Sequence, residues 1–147
     1  MTVAARFEIE YLQYLKPDGS LADKLPPAVP DAKALLPLFK QMLFVRTFDT
    51  KAIALQRTGK LGTYAACLGH EATHVGIGAS MQPEDVFAPS YREYGAQFER
   101  GVKPRDVLMY WGGDERGNDF EIPRNDYPWC VPISTQCLMA SGAALSF

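Results

Sequence analysis

From Leu35 onward, apolar side chains recur near a 3.6-residue period at Leu35, Leu38, Phe39, Met42, Val45 and Ile53. That spacing predicts an amphipathic helix. Asp31 stands where an N-cap is wanted, and Arg57 followed by Gly59 makes a plausible C-terminus. Pro37 falls inside the run, so the helix either starts there or kinks. Lys40, Gln41 and Lys51 occupy the opposite face and are expected in solvent. The chain ahead of this helix follows another pattern. Phe7-Glu8-Ile9-Glu10-Tyr11 alternates apolar and polar residues, as a short strand does. Pro17-Asp18-Gly19-Ser20 has turn chemistry. Leu25-Pro26-Pro27-Ala28-Val29-Pro30 is too rich in proline for a helix or a central strand. Residues 1–30 therefore read as an extended arm, and residues 31–147 as part of a folded domain.

Beyond Gly59 the pattern turns to small residues. A helix over about 70–81 contains Gly76 and Gly78, each costing about 1 kcal/mol relative to Ala. Such glycines imply that something packs close to the backbone. Pro83-Glu84-Asp85 predicts a turn, and Val86-Phe87-Ala88 a short buried strand ended by Pro89-Ser90. Ser90 and Glu93 form the S-x-x-E pattern of a capping box, which predicts a helix from Tyr91 to Arg100 closed by Gly101. Pro104 suits the first turn of another helix, ending near Gly112-Gly113. Residues 112–131 read as a long loop. A last helix begins around Ser134 to Gln136 and has no stop signal before Phe147, as if cut within an element. Helices alternating with a buried strand suggest an α/β fold.

Composition changes this picture little. Of 147 residues, 47% are hydrophobic and 22% charged, so a buried core is expected. The net charge is −2, and the scattered lysines and arginines form no basic run, so no nucleic-acid surface is expected. No stretch approaches the roughly 20 apolar residues of a membrane helix, and the N-terminus does not resemble a signal peptide. Three cysteines, an odd number, argue against a disulfide framework. The expected compartment is the reducing cytoplasm.

One motif points away from the rest. His70-Glu71-Ala72-Thr73-His74 matches H-E-x-x-H, which on a helix places two histidines on one face for zinc with the glutamate as general base. Glu93 could serve as a third ligand. Against this, Glu93 already has a partner in Ser90, Gly76 and Gly78 make a poor platform for ligands, and the chain is short for a substrate cleft. The plainer expectation makes His70 and His74 polar residues of a partly buried helix. Cys67 and His70 lack a matching ligand pair downstream.

Tyr91 and Arg92 carry the other candidate chemistry. In the first turn of a helix, a planar guanidinium and a phenol beside unsatisfied N–H groups would make an anion site. The alternative is a surface arginine paired with Glu93 or Asp85, with Tyr91 half-buried.

An ordered set of segments then resembles a known family. Arg57-Thr58-Gly59-Lys60-Leu61-Gly62-Thr63-Tyr64 is similar to an R-x-G-x-L-G-x-Y segment. Gly69-His70-Glu71-Ala72 is similar to G-Q-E-A, with His70 at the usual Gln. Ser90-Tyr91-Arg92-Glu93-Tyr94-Gly95 follows, then Arg100-Gly101-Val102 and Pro132-Ile133-Ser134-Thr135-Gln136. In order and spacing, residues 31–147 resemble the N-terminal part of the alpha subunits of thiamine-diphosphate-dependent 2-oxo acid dehydrogenases.

That resemblance implies a thiamine-diphosphate-binding fold, a parallel sheet flanked by helices, incomplete here. It implies that Tyr91 and Arg92 bind the cofactor's diphosphate, and that backbone groups of Val131 and Ile133 meet its aminopyrimidine. In some relatives the stretch matching Cys130, Pro132, Thr135 and Gln136 holds a monovalent cation; Cys130 replaces a Ser found there. The implied reaction is oxidative decarboxylation of a 2-oxo acid, pyruvate ahead of a branched-chain substrate or acetoin, with acyl transfer to a lipoyl group. The implied partners are a beta subunit, in an alpha2-beta2 assembly, and a lipoyl acyltransferase core. The family's Gly-Asp-Gly magnesium motif and its catalytic histidine are not present, so magnesium ligands are expected beyond Phe147 and no catalytic residue is assigned. The chain alone is expected neither to bind magnesium–thiamine diphosphate tightly nor to catalyse, and to associate through exposed apolar surface. Readings of other classes are a small zinc hydrolase and a non-catalytic oligomerisation module.

Overall fold

The computed structural model describes residues 2–25, 29 and 31–147. The chain divides into two compact units, Met1–Ala34 and Leu35–Phe147. In the first, Pro17-Asp18-Gly19-Ser20 forms the expected turn. The Gly19 N–H donates to the Lys16 carbonyl at 2.9 Å and Lys16 N–H to the Ser20 carbonyl at 2.8 Å. Gly19 takes a φ of +83°, open to glycine at little cost. The flanking Leu15 and Leu21 make an antiparallel bridge. The strand expected at Phe7–Tyr11 does not form: alternation marks a face, but a strand also needs a neighbour to take its backbone hydrogen bonds. The proline-rich expectation at 25–30 falls largely outside the described residues. Asp31 is the N-cap, its Oδ1 accepting the Ala34 N–H at 2.9 Å.

Helix α1 spans Ala32–Arg57 with Pro37 inside it. It therefore starts before the proline and runs on through it; the carbonyl one turn back loses its N–H partner. Its end is a Schellman closure: Lys60 N–H reaches the Leu55 carbonyl at 2.9 Å and Gly59 N–H the Gln56 carbonyl at 3.0 Å, with Gly59 at φ +70°. The buried face is Val45, Phe48, Asp49 and Ala52. The apolar stripe thus holds in the second half of the helix. Leu35 and Phe39 are exposed, whereas Leu38 and Met42 pack at the margin of the core. Lys40 and Lys51 are in solvent, but Gln41 is half-buried.

Helix α2 (Glu71–Ser80), helix α3 (Tyr94–Glu99) and helix α4 (Pro104–Trp111) complete the core with the 112–131 loop. Helices α2 and α3 meet through glycine. A Cβ on Gly95 would lie 2.7 Å from His74 Cβ, and one on Gly78 2.7 Å from the Ala96 carbonyl oxygen, whereas Gly76 faces open space. The close approach expected of the α2 glycines is therefore real at Gly78 and absent at Gly76. Pro104 is the first residue of α4 and Gly112 its C-cap. The loop contains a short 3-10 turn, Glu115–Asn118. It returns Phe120 and Trp129 to the core, where Trp129 packs edge-on to Phe120 at 5.0 Å and to Tyr94 at 6.2 Å. The Trp129 indole N–H donates to the buried Gln97 side chain. Burying side chains of this size contributes about 1.5–3 kcal/mol each.

Among the described residues no strand forms, so the parallel sheet of the expected α/β fold is not seen. Val86–Ala88 is half-buried and irregular. Phe87 accepts from Tyr127 N–H at 2.9 Å and donates to Asp126 Oδ1 at 3.2 Å, and Ser90 accepts from Cys130 N–H at 3.4 Å. These bonds fall along one side only, and one ends on a side chain, so no ladder propagates. Helix α5 (Thr135–Ala144) begins where the sequence predicts, buries no residue, and ends at Ala144 rather than running through Phe147.

Candidate functional site

Three segments converge around Arg92: the second half of α1, the loop from Leu61 to His70, and the turn before α3. Tyr91 and Arg92 do not lie in the first turn of a helix, as the S-x-x-E pattern led one to expect. Helix α3 starts at Tyr94 with Glu93 as its N-cap. The carboxylate of Glu93 still does half of what a capping box does. It accepts the Ser90 N–H and hydroxyl at 2.9 Å and the Arg92 N–H at 3.2 Å. These bonds consume the polar groups of the turn and fix Ser90–Glu93 as a tight bend. The helix cannot start earlier because Tyr94 N–H bonds to the Arg92 carbonyl, a non-helical closure.

From this bend the Arg92 guanidinium reaches the Ala66 carbonyl and lies 5.2 Å from the centre of the Tyr91 ring. Both side chains are half-buried. The surface-pair alternative, Arg92 with Glu93 or Asp85, does not hold. Glu93 faces Ser90, and the Asp85 carbonyl faces Arg100. An Arg held by one carbonyl over an aromatic face retains N–H donors for an anion.

The loop beneath Arg92 is bracketed by two residues of α1. Asp49, fully buried, accepts the Cys67 N–H at 2.8 Å and the Tyr64 hydroxyl at 2.9 Å on Oδ1; its Oδ2 has no partner among the described residues. One turn earlier, Arg46 pairs with Glu71, whose other oxygen accepts Gly69 N–H at 3.1 Å. The hydrogen bond from Arg46 outweighs burial and lowers the Glu71 carboxyl to about 2. Burial, and then the charge of Asp49, pushes the Tyr64 phenol and the Cys67 thiol well above their ordinary values. Sequence reasoning missed Asp49 and Arg46. The available signal was a carboxylate set inside the apolar stripe of α1, three residues after an arginine.

Val131 is brought near this turn, because Cys130 N–H bonds to the Ser90 carbonyl. It is 48% exposed and helps line a cavity of about 410 Å3 with Gly62, Tyr110, Trp111 and Gly113. Ile133 is not drawn in; it is 80% exposed just ahead of α5. Pro132's carbonyl accepts Thr135 N–H at 3.3 Å, while Gln136 Oε1 is buried with no partner among the described residues.

The H-E-x-x-H residues are placed otherwise than a zinc site needs. His70 precedes α2 as its N-cap, His74 is buried, and their rings lie 5.3 Å apart. Glu71 is engaged by Arg46, and Glu93 by Ser90 and Arg92. Burial lowers the His74 pKa, against the opposing charge of Glu93. Among the described residues no group of three His, Cys, Asp or Glu could hold a metal ion.

The family described as the dehydrogenase E1 component matches residues 39–146. The chain is 36% identical over 124 residues to the pyruvate dehydrogenase E1 component subunit alpha of Acholeplasma laidlawii, covering 84% of this chain and 36% of that protein. It is 35% identical over 140 residues to the 3-methyl-2-oxobutanoate dehydrogenase subunit alpha of Mycobacterium tuberculosis, covering 95% and 38%. Against the pyruvate dehydrogenase E1 component subunit alpha of Mycoplasma pneumoniae the identity is 34%, covering 85% and 35%. The chain thus spans little more than a third of the length of these relatives. A family match over residues 39–146 settles the relationship: this chain belongs to the dehydrogenase E1 component family.

Proposed function

We propose that the chain is the diphosphate-side portion of the alpha subunit of a 2-oxo acid dehydrogenase, acting on pyruvate. The observation that carries this reading is Arg92, anchored on the Ala66 carbonyl beside Tyr91 with donors left for an anion. In this reading residues 1–30 are an arm and residues 31–147 belong to the thiamine-diphosphate-binding domain. Its parallel sheet is formed with residues outside this chain. Tyr91 and Arg92 hold the diphosphate, and the backbone of Val131 and Ile133 meets the aminopyrimidine. Bound there, thiamine diphosphate supplies the carbanion-stabilising chemistry of 2-oxo acid decarboxylation. This chain's residues bind and orient it. Magnesium is held by ligands that lie beyond Phe147.

The partners in this reading are a beta subunit, giving alpha2-beta2, and a lipoyl acyltransferase that takes the acyl group, in the cytoplasm. No helix among the described residues is long and apolar enough to cross a membrane. A branched-chain 2-oxo acid is the second substrate reading, favoured by the 95% coverage of this chain by the mycobacterial 3-methyl-2-oxobutanoate relative.

The test is titration of inorganic diphosphate into the isotope-labelled chain, followed by amide resonances. Millimolar diphosphate is expected to shift Tyr91, Arg92 and Val131, and Arg92→Gln to abolish the shifts. Shifts confined to other residues, or none, overturn the reading. Thiamine diphosphate with magnesium should bind the isolated chain no more tightly than millimolar.

A further inference from the structure

The peptide joining Ala66 to Cys67 is held at both ends by charge. Its N–H, on Cys67, donates to the buried Asp49 carboxylate at 2.8 Å, and its C=O, on Ala66, accepts from the Arg92 guanidinium. A trans peptide sets N–H and C=O pointing in opposite directions in one plane. An anion at the N–H end and a cation at the C=O end therefore both align with the peptide dipole. Each bond polarises the other, as in any hydrogen-bonded chain in a low-dielectric interior.

We propose that Asp49 is a positioning residue for Arg92, acting through the Ala66–Cys67 peptide. The negative charge of Asp49 makes the Ala66 carbonyl a stronger acceptor, and that carbonyl fixes the guanidinium in its place beside Tyr91.

The burial of the charge itself supports this. Asp49 lies wholly inside the core and its Oδ2 has no partner among the described residues. An unpaired buried acceptor is unfavourable, and more so when charged. A neutral acceptor would hold Cys67 N–H and Tyr64 hydroxyl equally well in geometry. What a neutral acceptor would not supply is the field across the peptide. Arg46, one turn earlier on α1, holds the far end of the same loop through Glu71 and Gly69. The helix thus sets the loop at two points, and only the Asp49 point lies in line with Arg92.

The proposal rests on the diphosphate reading for its functional consequence, but its structural core is testable without any ligand. The readout is the guanidinium resonances of Arg92 in the full chain, which report the rate of rotation about Nε–Cζ. Asp49→Asn keeps the shape and an acceptor oxygen but removes the charge. It is expected to speed the Arg92 rotation several-fold with little loss of thermal stability. Tyr64→Phe removes the other hydrogen bond to Asp49 and leaves the peptide bond intact, so Arg92 should be unchanged. A merely structural Asp49 would give the reverse order or no difference. The reciprocal measurement needs no change at Asp49: Arg92→Gln should move the Cys67 amide proton upfield as its bond to Asp49 weakens. Unaltered Arg92 rotation in Asp49→Asn, or an unmoved Cys67 amide in Arg92→Gln, overturns the proposal. With inorganic diphosphate as probe, Asp49→Asn should weaken the shifts at Tyr91 and Arg92 several-fold. If the unaltered chain binds no diphosphate but Arg92 still responds to Asp49→Asn, the functional reading fails and the positioning role stands.

Discussion

Arg100 and Asp126 face each other as a closed fork: Nε lies 2.7 Å from Oδ2 and Nη2 2.6 Å from Oδ1, with the side chains 4% and 0% exposed. The same Asp126 oxygen accepts Phe87 N–H, and Arg100 also reaches the Gln82 and Asp85 carbonyls. One pair therefore ties the end of α3, the 82–87 turn and the long loop together.

Removing one member of a buried pair leaves the other charged and unpaired. Asp126→Ala is expected to destabilise the chain by about 3–5 kcal/mol. The measurement is the urea midpoint at unchanged slope. A loss below about 1 kcal/mol would mean that the pair is effectively solvated.

The sequence made most of the helices legible. The 3.6-residue period, Asp31, Gly59, Pro104 and Gly112 mark real boundaries, because each acts within its own turn and needs no distant partner. Elements that depend on a neighbour were not legible. Phe7–Tyr11 alternates correctly and Val86–Ala88 is suitably apolar, yet neither meets a strand to pair with. The Ser90–Glu93 pairing was legible as a bond but not as a bend. S-x-x-E specifies which groups meet, and the backbone that brings them together is a bend closed by the Tyr94 N–H on the Arg92 carbonyl. Asp49 was hidden for the same reason: its role lies in what it faces, eighteen residues away at Cys67.

The pairing of Glu71 with Arg46 sets an acid limit. The bond from Arg46 lowers the folded carboxyl to about 2 from an ordinary 4.5. A depressed carboxyl stabilises the fold fully above its unfolded value, and the contribution fades as pH falls from 4.5 toward 2. Melting temperature measured from pH 7 to 2 should therefore fall more steeply in the unaltered chain than in Glu71→Gln across that window. Parallel curves would show that Glu71 is not held by Arg46 in solution.

Two helix glycines should respond with opposite sign. Gly95→Ala places a methyl 2.7 Å from His74 Cβ on α2 and 3.2 Å from Val45 Cγ2 on α1, both buried residues. Overpacking of this kind is expected to destabilise by about 1–3 kcal/mol. Gly76→Ala meets nothing within 4 Å and should stabilise by about 0.5–1 kcal/mol through helix propensity. Thermal melts of the two variants decide the matter, and destabilisation by both would place Gly76 against a surface formed in solution.

The thiols should react in order of exposure, and Cys67 should be the last. Cys137 is exposed, Cys130 half-buried and Cys67 buried. The thiolate is the reactive form, and burial, followed by the charge of Asp49, pushes the Cys67 thiol well above its ordinary value. With an aromatic disulfide reagent at pH 8, Cys137 is expected to react fast, Cys130 more slowly, and Cys67 only on the timescale of unfolding. Asp49→Asn removes the charge of Asp49 but leaves burial, the largest cause. Cys67 should therefore stay slow in the folded variant and react sooner only where the reagent reaches it through local opening. Mass mapping of the labelled peptides separates the three sites. Early labelling of Cys67 in the unaltered chain would show that the loop carrying Ala66 opens in solution, and with it the anchor that Arg92 depends on.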